Sequence, residues 1–586
     1  MKEIQQNTIL RQMVPARAAL RRLPFGLADV AVVLGALAFL YLVARVGAGA
    51  MVRFQPPEVL PSVSLDIHYL PYYAARSTLR MFVALFFSLL FTLGFGEMAS
   101  HNRRAERVMI PLLDVLQSVP VLGFLSITVT AFIALFRGSL LGLEAASVFA
   151  IFTSQAWNMT FSYYQSLTTL PRELDEAARL YRLPSWQRFT RLEVPASMIG
   201  LTWNAMMSFG GGWFFVAASE AISVLNKSYT LPGIGSYVTV AIENRNFRAL
   251  LFALLTMSVV IVLVDQLFWK PLVAWADKFR LEQSAASTAP QSWVLNLFRA
   301  ARLPRLVGSL LAPVGEAINN FLSRLRPFQE IRIVRPERQR VGDLIYNGAL
   351  LVLIAVLFVY GVRFIHSEVG WGEFGRTAVL GSITFGRVIL LLIFSTLIWT
   401  PIGVAIGFNP SLARLLQPLA QLLASFPANF LFPFATIFFI RAGISLNWGG
   451  ILLMALGAQW YILFNVIAGA MSIPTELREM AANMRLHGWQ LWRNLIIPGI
   501  FPAWVTGGIT AAGGAWNASI VAEIVSWGNS TLRATGLGAY IQGATSVGDW
   551  PRIVLGVSMM SLFVVGLNRI FWRRLYRLAE TKFRLA

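Results

Sequence analysis

A chain of 586 residues that is 56% hydrophobic, 13% charged and of mean hydropathy +0.62 lies far from the composition of a soluble domain of this size. Its formal net charge of +21 sits beside long apolar runs, so it reads as charge flanking membrane spans rather than as a nucleic-acid surface. The absence of cysteine excludes disulfides, thiolate metal sites and Cys nucleophiles, and the four scattered His residues show no metal-ligand spacing.

In chain order, residues 1–26 are a basic segment carrying Arg11, Arg17, Arg21 and Arg22. The apolar run behind it is too long and too poorly flanked for a cleaved signal, so it is read as a retained first span. Runs of roughly 20 apolar residues suffice to cross a bilayer. They predict spans near residues 27–46, 79–98, 108–135, 140–163, 196–222 and 248–270. A basic linker occupies 273–341. Within it, Gln283 to Ser292 is rich in Ser, Ala, Pro and Gln, whereas Trp293–Phe298 and Ile318, Phe321, Leu322 and Leu325 are apolar at helical spacing among Arg299, Arg302, Arg305, Arg324 and Arg326. That pattern suits a helix on the inner leaflet; the alternative is a linker whose charge only assists topology. Six further spans follow near 342–364, 386–406, 414–440, 449–471, 499–525 and 552–572. The expected fold is an all-α polytopic membrane protein of about 12 transmembrane helices in two six-helix repeats, 27–272 and 342–586.

Lys and Arg alternate between loops. The amino terminus, Arg103-Arg104-Arg107, the stretch with Arg172, Arg179, Arg182, Arg188 and Arg191, the linker after Lys270, the stretch with Arg478, Arg485 and Arg493, and the tail with Arg573, Arg574 and Arg577 are basic. The intervening loops carry few such residues. The positive-inside rule therefore expects both termini, and the stretches of Arg172 to Arg191 and Arg478 to Arg493, on the cytoplasmic side.

The two halves match residue by residue. An offset of 303 pairs Trp157 with Trp460, Trp213 with Trp516, Glu220 with Glu523, Gly233 with Gly536, Gly235 with Gly538, Tyr237 with Tyr540, and Phe268-Trp269 with Phe571-Trp572. Upstream the offset is 307 and pairs Arg80 with Arg387, Asn102 with Asn409, Pro111 with Pro418 and Pro120 with Pro427. The chain is a tandem duplication. Its most polar repeated device is a helix-turn-helix between spans, from Pro171 to Pro195 and from Pro474 to Pro498, each Pro pair 24 positions apart. Proline is tolerated at a helix start, so both ends of the device are marked by the same rule.

Groups able to line a polar path are sparse. Asp114, Gln117 and Ser118 fall within one helical turn; their counterparts are Gln421, Ala424 and Ser425. Ionisable groups within a membrane tend to face a polar route, although Asp114 also stands near Arg107 and could pair with it. Asn204 and Asn517 are weaker candidates for the route, since isolated amides more often bond helix to helix. Glu220 lies 25 residues past Pro195, some ~37 Å along a helix and beyond a ~30 Å hydrocarbon layer. Glu220 and Glu523, with Trp213 and Trp516 nearby, are thus expected at an outer mouth, in a gate or a docking surface, with snorkelling at the interface as the alternative. No phosphate loop, dinucleotide fingerprint, zincin motif or nucleophile elbow occurs, so no enzyme activity and no bound cofactor are expected of this chain.

Glu176-Ala177-Ala178 followed by Leu192-Glu-Val-Pro195, and Glu479-Met-Ala481 to Ile497-Pro498, resemble the EAA loop of bacterial ABC importer permeases. In both halves Arg, at 182 and 485, replaces the family's Gly. Trp213 to Glu220 with Gly233-Ile-Gly235-Ser-Tyr237, and Trp516 to Glu523 with Gly536-Leu-Gly538-Ala-Tyr540, are similar to the fifth helix and outer loop of nitrate, taurine and aliphatic-sulfonate permeases. The resemblance implies that Glu176, Ala177, Ala178, Arg182, Glu479, Ala481 and Arg485 couple to two ABC ATPase subunits that bind ATP and Mg. It also implies that a solute-binding protein delivers a small, mostly anionic solute, and that the chain sits in the bacterial inner membrane. The rival reading is an ion-coupled secondary transporter with internal repeats, whose usual mark would be Gly/Pro-broken helices at the bilayer midplane.

Overall fold

In the computed structural model of the chain, the described residues are 29–38, 41, 63–118, 121–136, 139–224, 227–279, 292–325 and 336–582. The first repeat runs through α1 (Asp29–Ala38), α2 (Leu70–His101), α3 (Arg103–Ser118), α4 (Leu125–Leu135), α5 (Leu141–Thr168), α6 (Arg172–Leu180), α7 (Ser185–Arg188) and α8 (Val194–Glu220). A hairpin of β1 (Ala221–Val224) and β2 (Lys227–Thr230) then leads to α9 (Ile234–Glu243) and α10 (Phe247–Val264). The linker contributes α11 (Lys270–Ala276), α12 (Trp293–Ala300) and α13 (Leu303–Leu325). The second repeat begins with α14 (Pro336–Phe364), α15 (Trp371–Phe408), α16 (Pro410–Ser425), α17 (Phe432–Ala442), α18 (Leu446–Met471), α19 (Thr475–Asn483), α20 (Gly488–Leu491) and α21 (Ile497–Ala522). It closes with the hairpin β3 (Ile524–Trp527) and β4 (Ser530–Arg533), α22 (Leu537–Val547), α23 (Trp550–Leu567) and α24 (Arg573–Lys582).

Among the described residues, seven helices are long and apolar enough to cross a membrane, including Ile67–His101, Trp371–Phe408 and Leu446–Met471. The helices α5 and α8, of 28 and 27 residues, are also long enough but less apolar. The protein is an all-α polytopic membrane protein built of two repeats. The third expected span of each repeat is not one helix: 108–135 divides into α3 and α4, and 414–440 into α16 and α17 around a 3₁₀ turn at Ala428–Phe430. The reason in the second repeat is Pro427, which holds Phe426 in extended backbone (φ −74°, ψ 129°) and so ends α16. The span expected over 27–46 is described only at 29–38 and 41, and the segment 283–292 lies, but for Ser292, outside the described residues.

The duplication extends to local chemistry. The Asn102 carboxamide accepts from the amides of Arg104 (2.9 Å) and Ala105 (3.2 Å), and Asn409 accepts from Ser411 (3.0 Å) and Leu412 (3.2 Å), so the matched asparagines are both N-caps. π turns recur at Phe189–Glu193 and Trp492–Ile496, directly before the prolines that open α8 and α21, and again at Asp265–Trp269 and Asn568–Trp572. A proline has no N–H to give the ladder, and a wider π turn just ahead absorbs that defect without breaking the helix. The hairpins were not foreseen; the signal was the Gly528-Asn529 pair between Ile524–Trp527 and Ser530–Arg533, with Gly528 at φ +57°.

Contacts divide the chain into two compact units that do not follow the repeats. One gathers residues 1–45, 172–195 and 266–330. Within it α12 packs on α11, α13 packs on α7, and the buried Asp29 carboxylate accepts from the Arg302 (2.7 Å) and Leu303 (2.6 Å) amides, capping α13. The other unit, 46–171, 196–265 and 331–586, contains the spanning helices of both repeats around a shared apolar core. There Phe385, Phe563 and Trp516 form a three-ring cluster, with Trp516 centroids 6.4 Å from Phe385 and 6.1 Å from Phe563 and the two Phe rings 5.9 Å apart.

Candidate functional site

Among the described residues, each repeat buries a charge cluster among its helices. In the first, the Arg80 guanidinium donates to Glu144 from Nε (2.6 Å) and Nη2 (2.7 Å), to Glu220 from Nη1 (2.6 Å), and to the Pro232 carbonyl (3.1 Å). Arg76 donates to the same Glu144, and the Ser77 hydroxyl to Glu220 (2.5 Å). In the second, Arg387 donates to Glu523 (2.7 Å), to the Asn447 side chain (2.9 Å) and to the Thr535 carbonyl (2.9 Å), while Thr384 donates to Glu523 (2.8 Å). The clusters superpose in sequence register: Ser77 with Thr384, Arg80 with Arg387, Glu144 with Asn447, Glu220 with Glu523. Where the first repeat has Arg76 and Glu144, the second has Ile383 and Asn447, so a cation and an anion disappear together and each cluster stays neutral. Neutrality is what a bilayer interior demands of buried charge.

The repeated glycines complete this cluster. A Cβ on Gly233 would stand 2.2 Å from the Glu220 carboxyl, and one on Gly536 2.2 Å from that of Glu523. A Cβ on Gly235 would meet the Ala217 carbonyl at 2.4 Å, and one on Gly538 that of Ser519 at 2.4 Å. The Gly-x-Gly pairs let the α8–α9 and α21–α22 backbones close over the carboxylates, which then accept from the amides of Gly235 (2.7 Å) and Ala539 (3.0 Å). Glu220 and Glu523 are therefore 0% exposed, and Trp213 and Trp516 1%. This corrects the expectation of a docking surface: helix length put these residues towards one end of α8 and α21, but tertiary packing turned them inward. Sequence reading paired Arg80 with Arg387 and Glu220 with Glu523 across repeats, yet had no means to pair Arg80 with Glu220. It missed Arg76, Ser77, Glu144, Thr384 and Asn447 entirely.

Between the repeats lies a cavity of about 330 Å³. Equivalent positions line it in pairs, among them Leu122 with Asn429, Ala218 with Val521 and Thr239 with Gln542, which places it on the local two-fold relation. Among the described residues none that lines it is charged; Thr239, Asn429, Ser526, Gln542 and Thr545 offer amides and hydroxyls. Two bonds between the repeats flank it. The Asn517 side chain accepts from the Val121 amide (3.0 Å), and the Asn429 side chain donates to the Phe214 carbonyl (3.4 Å).

The other path candidates are distributed unevenly. Gln421 and Ser425, one turn apart on α16, face α8: Gln421 Nε2 is 3.2 Å from Met206 Sδ, and a Cβ on Gly210 would be 2.5 Å from Ser425 Oγ. Gln117 is exposed on α3; Asp114 and Ser118 lie on the same helix, with side chains outside the described residues. Asn204 donates to Ser162 (3.0 Å) and so bonds α8 to α5 rather than lining the cavity.

Each helix-turn-helix ends its first helix in the same way. Leu183 N–H bonds the Ala178 carbonyl (3.1 Å) and Arg182 N–H that of Arg179 (2.9 Å); Leu486 bonds Ala481 (3.0 Å) and Arg485 bonds Ala482 (2.9 Å). This is the Schellman pattern, whose penultimate residue must be left-handed. Arg182 and Arg485 take φ +48° and +53°, so the arginines keep the backbone that glycine would adopt, with the strain of a side chain there. Ala178 and Ala481 are the buried residues of α6 and α19, Ala177 is half-buried, and Glu176, Arg182, Glu479 and Arg485 are exposed. Leu180, Tyr181, Met480, Met484 and Trp489 are exposed apolar side chains of the same segments.

The two devices are braced differently. Arg188 bridges Asp175 (2.7 Å) and Glu193 (2.7 Å), tying α6 to the π turn below it. At the position of Asp175 the second repeat has Arg478, whose guanidinium lies 4.5 Å over the Phe408 ring and donates to the Ala470 carbonyl.

The family profile described as "Binding-protein-dependent transport system inner membrane component" matches residues 84–268 and again 399–577. A protein of Methanocaldococcus jannaschii named as an ABC transporter permease is 27% identical over 201 residues, 34% of this chain and 70% of its own length. The nitrate import permease protein of Synechococcus elongatus is 27% identical over 173 residues, 29% of this chain and 58% of its own length. The taurine transport system permease protein of Escherichia coli is 26% identical over 192 residues, 32% of this chain and 66% of its own length.

Proposed function

The chain belongs to the family of binding-protein-dependent transport system inner membrane components, and from that premise we propose that it is the whole membrane pathway of an ATP-driven importer, with two permease units fused in one polypeptide. One copy pairs with two ABC ATPase subunits and a solute-binding protein. Relatives named for nitrate, taurine and bicarbonate transport support a small anionic or zwitterionic solute. The cavity between the repeats is its route: uncharged amide and hydroxyl donors hold such a solute weakly enough to release it.

The observation that carries this reading is the twice-built helix-turn-helix with an exposed glutamate and exposed apolar side chains above a rigid turn. Apolar groups gathered on a polar, solvated device call for a partner surface. The cationic loops support a cytoplasmic side for both devices, within reach of ATPases. Closing of the ATPases moves the two devices as rigid levers. The helical course from α7 through the π turn into α8, and from α20 into α21, carries that motion to the cavity walls at Ala218 and Val521.

The test is co-purification of the chain with candidate ATPase subunits, and solute uptake in vesicles. Glu176→Arg with Glu479→Arg removes both ATPase binding and uptake while the protein remains folded. Uptake that continues without any ATPase overturns the reading.

A further inference from the structure

The linker helix α13 has no counterpart in the duplicated architecture, and its sequence is divided into two faces. Val307, Leu310, Leu311, Val314, Ile318 and Phe321 recur at spacings of three and four and fall within a third of the helix circumference. All six are exposed, from 43% at Val307 to 64% at Leu310. Arg305, Ser309, Glu316, Asn319 and Asn320 take the opposite side. Within its compact unit α13 packs against α7 while this apolar stripe stays uncovered over a helix of 23 residues.

We propose that α13 lies in the headgroup layer of the membrane, apolar stripe inward, and there binds anionic lipid, so that the first helix-turn-helix is carried on the bilayer surface. Three features select a lipid surface over a protein groove. First, Asp29, at the start of the apolar helix α1, caps the amides of Arg302 and Leu303, and so pins α13 to that apolar helix. Second, α12 packs on α11, which continues the apolar helix Phe247–Phe279. Third, Arg299, Arg302 and Arg305 are exposed at the amino-terminal end, and residues 293–326 carry five arginines against the single Glu316. A stripe of large aliphatic and aromatic groups flanked by cations has the character of an interfacial helix, and each basic group near an anionic surface adds to the attraction. The packing of α13 on α7 then makes the first device, and not the second, sensitive to lipid charge. The choice of the inner leaflet rests on the proposed topology; the contact with lipid does not.

The natural absence of cysteine makes the test direct. Single variants Leu310→Cys, Val314→Cys and Ile318→Cys on the stripe, and Ser309→Cys, Glu316→Cys and Asn320→Cys opposite, are labelled with an environment-sensitive fluorophore in the full chain. Each is reconstituted into phosphatidylcholine vesicles with and without phosphatidylglycerol. Nitroxide-bearing lipids quench the stripe positions several-fold more than the opposite ones, aqueous iodide does the reverse, and the contrast grows with phosphatidylglycerol. Leu311→Asp with Ile318→Asp abolishes the contrast at position 314. Stripe positions open to iodide in both vesicles overturn the proposal, as do stripe positions shielded from both quenchers, which would mean cover by protein. The readout needs no ATPase, so failure of the transport reading leaves it unaffected.

Discussion

Glu144 and Asn447 occupy the same place in the two repeats, and each accepts a hydrogen bond from the arginine at the centre of its buried cluster. What separates them is the neighbour. Glu144 also receives Arg76, whereas Asn447 stands where the chain has Ile383 in place of that second cation.

Charge balance therefore predicts a non-additive pair. Glu144→Asn alone leaves Arg76 buried without its anion and destabilises the folded protein by about 3–5 kcal/mol. Adding Arg76→Ile copies the second repeat and recovers most of that loss. Thermal unfolding of the membrane-embedded protein reads both, and a double variant as unstable as the single one refutes the compensation.

Gly233→Ala and Gly536→Ala press a methyl group into the buried carboxyls of Glu220 and Glu523. Each is expected to cost roughly 1–3 kcal/mol, the range of overpacking, and to lower folded yield. Gly513→Ala, with open space around its Cβ, serves as the control and is tolerated.

Arg182→Gly and Arg485→Gly relieve the left-handed strain and stabilise each turn by about 1–2 kcal/mol. Arg182→Ala removes the charge but keeps the strain. If ATPase binding follows the charge, both substitutions weaken it equally; if it follows turn rigidity, Gly strengthens the loop and Ala does not. Affinity of the purified chain for the ATPase separates the two.

Arg188→Leu cuts both braces of the first device. The pair with Asp175, whose side chains are both partly exposed, is worth under about 1 kcal/mol, but Glu193 is 2% exposed and losing its cation costs more, as for a buried carboxylate. Stability should therefore fall, and uptake with it, because α6 no longer moves with the π turn at Glu193. In the second device Arg478→Leu, at the position of Asp175, acts through the Phe408 ring instead, so its effect should persist at salt concentrations that mask the Arg188 variant.

Asn517→Ala orphans the Val121 amide at the boundary between the repeats. A buried unpaired donor costs about 1–3 kcal/mol. The expected outcome is slower uptake with the two repeats still folded, and unchanged uptake would remove this bond from the pathway.

Much of this protein was legible without coordinates because it rests on one-dimensional rules. Apolar runs of bilayer length marked the spans, the offsets of 303 and 307 revealed the duplication, and the Pro-bounded polar stretches located the devices now seen as α6–α7 and α19–α20. The hairpins escaped notice although Gly528-Asn529 announced one of them, because strands of four residues between long helices carry too little periodicity to stand out.

What the chain by itself determined was which groups recur: Arg80 and Arg387, Glu220 and Glu523, Gly233 and Gly536. Only the folded arrangement decided that they belong together, because their partners sit some 140 residues apart in sequence and meet through helix packing that no local pattern encodes. Helical rise gave the position of Glu220 along α8, a distance set by the backbone alone. Whether it faced water or an arginine depended on neighbours, and burial of a carboxylate is possible only where tertiary structure supplies the opposite charge.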